Sequence, residues 1–131
     1  MVRIFVADDN AMIRAHLRAT LEEHAEWVVV GEAENGRRAV EACLKQMPNL
    51  TVMDLFMPVM DGLEAARQLR RQQPEVPILM VTVDPSRQLE TEAKKAGIRG
   101  ICSKSQIRCL GTAVEALLRG ETYFPVEPAV V

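Results

Sequence analysis

Five polar residues close short apolar runs in this chain, and their types define a chemistry. Asp8 and Asp9 follow Arg3–Ala7, Asp54 follows Leu50–Met53, Thr82 follows Pro77–Val81, and Lys104 follows Gly100–Ser103. Like charges side by side at the end of a buried strand repel and raise each other's pKa. Gathered in one pocket, three carboxylates favour a hard divalent cation. Mg²⁺ takes oxygen ligands, keeps several waters and needs only a few carboxylates. Each residue alone has a plainer reading: the Asp-Asp pair as a solvated turn or helix cap, Thr82 as a cap, Lys104 as a surface cation. The recurrence of polar residues at four run ends favours a site. With a metal there, Asp54 could act as nucleophile towards a phosphoryl group and form an acyl phosphate. Lys104 would neutralise the phosphoryl oxygens and Thr82 would hydrogen-bond one of them. No GxGxxG or GxxxxGK pattern follows the first run, so a pre-bound nucleotide is not expected.

Such residues need elements that hold them at one edge. Strands are predicted at Arg3–Ala7, Trp27–Gly31, Leu50–Met53, Pro77–Val81 and Gly100–Ser103. Between them run helical patterns. Asn10 caps the first, with Ile13, Leu17 and Leu21 four apart. Asn35-Gly36 opens the second, marked by Val40, Cys43, Leu44 and Met47 and ended by Pro48. Asp61-Gly62 opens the third, with Leu63, Ala66 and Leu69. Asp84 as cap and Pro85 at the first helical position open the fourth, and Ala96-Gly97 stops it. The fifth carries Ile107, Leu110, Val114 and Leu117. Strands that are continuously apolar suit a parallel sheet covered on both faces, and strict alternation predicts an α/β doubly wound domain. Ligands of such sheets gather at the carboxyl ends of the strands, and the order 2-1-3-4-5 would make strands one and three neighbours.

Bulk properties agree with one domain. The chain has 131 residues and a net charge of −2, which is not the basic footprint of a nucleic-acid binder. No apolar run reaches the roughly 18 residues of a membrane span, and Met-Val-Arg-Ile-Phe has no signal-peptide layout, so a cytoplasmic protein is expected. Cys43, Cys102 and Cys109 are odd in number and contain no CxxC pair; they read as core or surface thiols in a reducing compartment, with metal ligation or redox chemistry as the lesser alternative. His16 and His24 read as surface residues, Met53 and Met80 as core, and Arg37-Arg38 and Arg70-Arg71 as solvated helix faces.

The segments VADDN, VMDLFMPVMDGLEA, MVTVD and GICSK resemble, in order and spacing, the receiver domain of two-component response regulators, over about residues 2–120. The resemblance implies a flavodoxin-like (βα)5 fold with sheet order 2-1-3-4-5. It implies that Asp54 accepts a phosphoryl group from a sensor histidine kinase with Mg²⁺. Asp9 and Asp54 would ligate the metal through side chains, Phe56 through its backbone carbonyl, and Asp8 through water. Lys104 would contact the phosphoryl group. Thr82 and the position of Ile101 would couple it to a surface of the fourth helix, fifth strand and fifth helix, changing dimerisation or partner affinity. LLRGETYFP, residues 117–125, resembles the end of receivers that precede a LuxR-type helix-turn-helix domain. The expectation is a receiver over 1–120 and a linker over 121–131, with DNA reached only through an effector domain absent from this chain.

Three positions depart from common choices in that family. Ile101 stands where an aromatic is usual, so switching would move an aliphatic side chain or backbone. Ser105 follows Lys104 where proline is common; a cis bond there would cost about 3 kcal/mol, against under about 1 for X-Pro. Phe56 stands where a polar side chain is frequent. A phosphorylation-independent receiver-like interaction module is the second reading, since fold resemblance is analogy. A phosphatase acting on external substrates is disfavoured, because Leu55 and Phe56 follow Asp54 where a second acid would be needed. The bulk of Phe56 is expected to shield an acyl phosphate on Asp54 from water. Phe56→Asn should then shorten its half-life, measured by loss of the phosphorylated mass over time, and an unchanged half-life would count against shielding.

Overall fold

The computed structural model describes residues 1–124. In chain order the elements are β1 (Val2–Ala7), α1 (Ala11–Glu22), β2 (Trp27–Ala33), α2 (Gly36–Gln46), β3 (Leu50–Asp54), α3 (Gly62–Gln72), β4 (Ile78–Thr82), α4 (Arg87–Lys95), β5 (Gly100–Ser103), a 3₁₀ turn over Lys104–Gln106, and α5 (Cys109–Leu118). All strand pairs are parallel, in the order β2-β1-β3-β4-β5. This is the flavodoxin-like order that the resemblance implies.

The continuous apolar runs are explained by burial on both faces. Every residue of β3 and β4 is buried. Successive strand side chains point to opposite faces, and the two cores divide accordingly. Phe5, Met53, Met80 and Ile101 pack with Ala39 and Cys43 of α2, Ala66 and Leu69 of α3, and Ala93 of α4. Ile4, Val6, Val52, Leu79 and Cys102 pack with Leu17 and Leu21 of α1 and with Leu110, Val114 and Leu117 of α5.

Local chemistry sets the helix ends. Asn10, Asn35 and Asp61 cap α1, α2 and α3, each accepting a backbone N–H three residues on. Met47 takes a left-handed conformation (φ 50°) at the end of α2, just before Pro48. Gly97, at φ 87°, follows α4. The start of α4 differs from expectation: the cap is Ser86, not Asp84, and Pro85 lies ahead of the helix. Ser86 is extended, and its hydroxyl accepts the Leu89 N–H at 3.1 Å. β2 also runs two residues further than predicted. Its extra residue Glu32 is polar but sits opposite Arg14 and Arg18 of α1, at 3.2 and 2.8 Å.

The stretch expected to begin a linker continues the fold as far as it is described. Tyr123 N–H donates to the Arg99 carbonyl at 2.9 Å, and Ile101 N–H to the Tyr123 carbonyl at 2.8 Å, so residues 121–124 cover the free edge of β5. The rest of the expected linker, 125–131, lies outside the described residues. No helix among those described is long and apolar enough to cross a membrane.

Gly62 ties the start of α3 to the end of β3. Its N–H donates to the Leu55 carbonyl at 2.8 Å, and a Cβ there would run into the Asp54 carbonyl oxygen. Gly62→Ala is therefore expected to destabilise the domain by about 2 kcal/mol, by overpacking against backbone that cannot yield. Denaturant unfolding checks this; a loss within error would show that the β3–α3 turn relaxes freely.

Candidate functional site

The site is built at the carboxyl ends of β1, β3, β4 and β5. Ala7 pairs with Met53 across β1 and β3, so the residues that follow each, Asp8 and Asp54, come side by side. Asp54 pairs with Val81 on β4, and Thr82 with Ser103 on β5, just ahead of Lys104. Carboxylate oxygens of Asp8, Asp9 and Asp54 lie within 4.8 Å of one another. Asp8 and Asp54 are buried, and Asp9 is exposed.

One ammonium faces these acids. Lys104 Nζ is 2.7 Å from Asp8 Oδ2 and 3.0 Å from Asp54 Oδ1. Burial holds the Asp54 carboxyl above the usual carboxylate range; the Lys104 contact opposes this, and the charges of Asp8 and Asp9 reinforce it. Burial alone would lower Lys104, but its bonds to Asp8 and Asp54 outweigh that and leave it raised. The cluster thus sets one ammonium against three carboxyl groups.

Sequence reasoning missed two supports of Asp8. Asn10 N–H donates to Asp8 Oδ1 at 2.9 Å, and Arg14 Nη1 donates to the Asp8 carbonyl at 2.7 Å. The helix that begins at Ala11 therefore fixes the acid that precedes it. The Asp-x-Asn spacing was the available signal, since an Asp side chain commonly binds the backbone two residues on. Among the described residues Asp8 Oδ2 meets no polar partner other than the Lys104 ammonium. A buried carboxylate oxygen of this kind, in an all-oxygen donor set, fits a hard cation.

The remaining expected residues fall in two places. Thr82 is buried and borders a hollow of about 370 Å³ with Leu55, Phe56, Val83 and Leu89. Ile101 is fully buried beside Met80, on the sheet face that α4 covers. Phe56 is 74% exposed, so most of its ring faces solvent and covers Asp54 less than its bulk led us to expect. The Lys104–Ser105 bond is trans, as are all peptide bonds among the described residues. Ser103 Oγ caps the turn that follows, accepting the Ser105 N–H at 3.2 Å.

The cysteine reading requires a correction. Cys43 is a buried thiol beside Thr51, pushed up to about 12 by burial. Cys102 and Cys109, however, are joined through their sulfurs, with Cα atoms 6.5 Å apart. The turn over Lys104–Gln106 folds the chain back and brings together residues that show no pairing motif in sequence.

Comparison with known proteins assigns the class. The response regulator receiver domain family matches residues 4–115. The chain belongs to that family. Response regulator UvrY of Escherichia coli is 33% identical over 94% of this chain. A LuxR-family two-component response regulator from Aurantimonas sp. SI85-9A1 superposes with a TM-score of 0.90 at 31% identity, covering 94% of this chain and 89% of that one. The isolated REC domain of RcsB from Salmonella enterica serovar Typhimurium, solved in the presence of the phosphomimetic BeF3⁻, superposes with a TM-score of 0.86 at 25% identity, covering 95% and 93%. The chain spans 57% of UvrY's length and a comparable share of other curated regulators that it matches.

Removing the ammonium that meets Asp8 and Asp54 tests the electrostatic reading. Lys104→Met leaves Asp8 and Asp54 buried without their counter-charge, and should cost about 3 kcal/mol in the absence of divalent metal. Adding Asp54→Asn to that variant should recover part of the loss. Equal stability of Lys104→Met and the wild-type chain in urea titrations would refute it.

Proposed function

We propose that this receiver domain is a phosphorylation-activated switch of a two-component phosphorelay, with Asp54 as phosphoacceptor. The observation that carries the reading is the convergence of three carboxylates within 4.8 Å on one lysine, at the carboxyl ends of adjacent strands. In the proposed reaction an Asp54 carboxylate oxygen attacks the donor phosphorus, the bond from phosphorus to the donor breaks, and an acyl phosphate forms. The donor is a phosphohistidine of a sensor histidine kinase. Lys104 then exchanges its Asp54 contact for a phosphoryl oxygen, and the Thr82 hydroxyl donates to another. Asp8, Asp9, Asp54 and the Phe56 carbonyl would hold Mg²⁺. When bound, Mg²⁺ neutralises charge on the carboxylates and the phosphoryl oxygens.

Output follows from differential contact. Phosphorylation shifts an equilibrium only as far as Thr82 and Lys104 bind the phosphoryl group differently in the two states. Buried Ile101 would carry the change to α4, β5 and α5 by shifting an aliphatic side chain or backbone. We infer homodimerisation on phosphorylation, a cytoplasmic location, and a transcriptional output through a DNA-binding domain outside this chain, as in LuxR-type regulators. The receiver would occupy about residues 1–120. No second acid closely follows Asp54, so turnover of external substrates is not proposed. The aliphatic Ile101 favours one rival, a receiver-like module that binds partners without phosphorylation.

The deciding experiment is incubation with Mg²⁺ and acetyl phosphate followed by intact mass. One added phosphoryl group is expected, lost in Asp54→Asn and with a chelator. No adduct, together with no Mg²⁺-dependent binding of beryllofluoride, would favour the phosphorylation-independent module.

A further inference from the structure

We propose that Cys102 and Cys109 are a redox modification site, at which a low-molecular-weight disulfide joins the two sulfurs and pins the loop carrying Lys104. The regulatory consequence rests on the phosphoacceptor reading; the modification itself does not. Cys102 is in β5 and Cys109 is the first residue of α5, seven positions on. Their Cα separation of 6.5 Å lies within the range that a disulfide spans, about 4.4–6.8 Å. Between them lies the loop that supplies the only lysine touching Asp8 and Asp54 among the described residues.

The two cysteines differ in a useful way. Cys102 is fully buried against the core under α1 and α5, whereas Cys109 is partly exposed. An oxidant therefore meets Cys109 first. The Cys109 thiolate attacks one sulfur of the small disulfide, the sulfur–sulfur bond of that disulfide breaks, and one small thiol leaves. The Cys102 thiolate then attacks the Cys109 sulfur, forms the intramolecular bond and expels the second small thiol. Two protein thiols are oxidised, one small disulfide is reduced to two thiols, and the protons from the cysteines end on those thiols. Cys43 does not compete, because it is wholly buried on the core face of α2 beside Thr51. A pair of this kind suits a reducing compartment, where cytosolic disulfides are commonly transient and redox-sensing.

The bridge adds a covalent restraint to a loop otherwise held by the contacts of Lys104, the Ser103 cap and the packing of Ile107. Ser103 and Ser105 bond each other at its exposed start, at 2.8 Å between hydroxyls. α5, by contrast, is anchored in the core through Leu110, Val114 and Leu117. Joining Cys109 to Cys102 fastens both ends of the Lys104 turn to that anchored helix and to the sheet. Lys104 is then kept on Asp8 and Asp54, and phosphoryl uptake, which requires it to rearrange, is slowed.

The test uses the whole chain, reduced and then treated with oxidised glutathione. Intact mass should fall by two hydrogens with no retained glutathione, and peptide mapping should link Cys102 to Cys109. Amide exchange over 103–108 should slow by about tenfold in the linked form, and reductant should reverse both changes. Phosphoryl uptake from acetyl phosphate should be slower in the linked form, and insensitive to glutathione in Cys109→Ser. Retained glutathione on Cys109, covalent dimers, or no reaction would overturn the proposal. So would a linked form whose loop exchange or phosphoryl uptake matches the reduced form. Absence of uptake even in reduced protein would defeat the phosphoacceptor reading, while mass and exchange would still decide the cysteine site.

Discussion

A single ammonium set against three carboxylates is the constraint on which this molecule depends. Lys104 reaches Asp8 and Asp54 at once, and Asp9 adds a further negative charge at the rim. Taken out of water, such a cluster is weak evidence for stability, because desolvation offsets much of the Coulombic gain. What it provides is a demand for positive charge at one point. Burial raises Asp54, and the same two carboxylates raise Lys104 in return. In the proposed function that demand is met by a hard cation bound beside the phosphoryl group.

The sheet exists to impose that deficit. β1 and β3 are adjacent although α1, β2 and α2 lie between them in sequence, and this crossover brings Asp8 to Asp54. Packing of Ile4, Val6 and Val52 on one face and Phe5 and Met53 on the other leaves the backbone no freedom to separate the acids. The following turns contribute as well. Asn10 and Arg14 hold Asp8 from the start of α1, and Gly62 lets α3 approach the carbonyl of Asp54. The charged cluster is thus held by apolar contacts made well below it.

β4 and β5 carry residues both of the site and of the core beneath α4. Thr82 and Ser103 are paired at the sheet's edge, and Ile101 lies two residues back on the same face as Ser103. Ile101 is packed in the core that also holds Ala93 of α4, and Thr82 borders a hollow with Leu89 of the same helix. The loop after β5 is the shared element. It carries Lys104 into the site and has Cys102 and Cys109 at its two ends.

Much of this was legible in the order of residues. Alternating apolar runs and helical spacings determine the α/β class, and the continuous apolarity of Leu50–Met53 and Pro77–Val81 determines that the sheet is covered on both faces. The polar residues at the run ends identify the site, because chain ends of parallel strands must lie along one edge. Other features were not legible, each for a physical reason. Ser86 displaced Asp84 as a cap because the choice depends on which residue is extended when the helix packs. Glu32 belonged to a strand because arginines on a neighbouring helix met it. Tyr123 lay along β5 because an exposed strand edge has backbone groups to satisfy. The pairing of Cys102 with Cys109, the supports of Asp8 and the outward ring of Phe56 were decided only by the folded chain. The sequence by itself determined which chemical groups are present and on which element each sits. Tertiary structure alone decided which of them touch, since contact depends on crossovers and turns that bring distant residues to within a few ångströms.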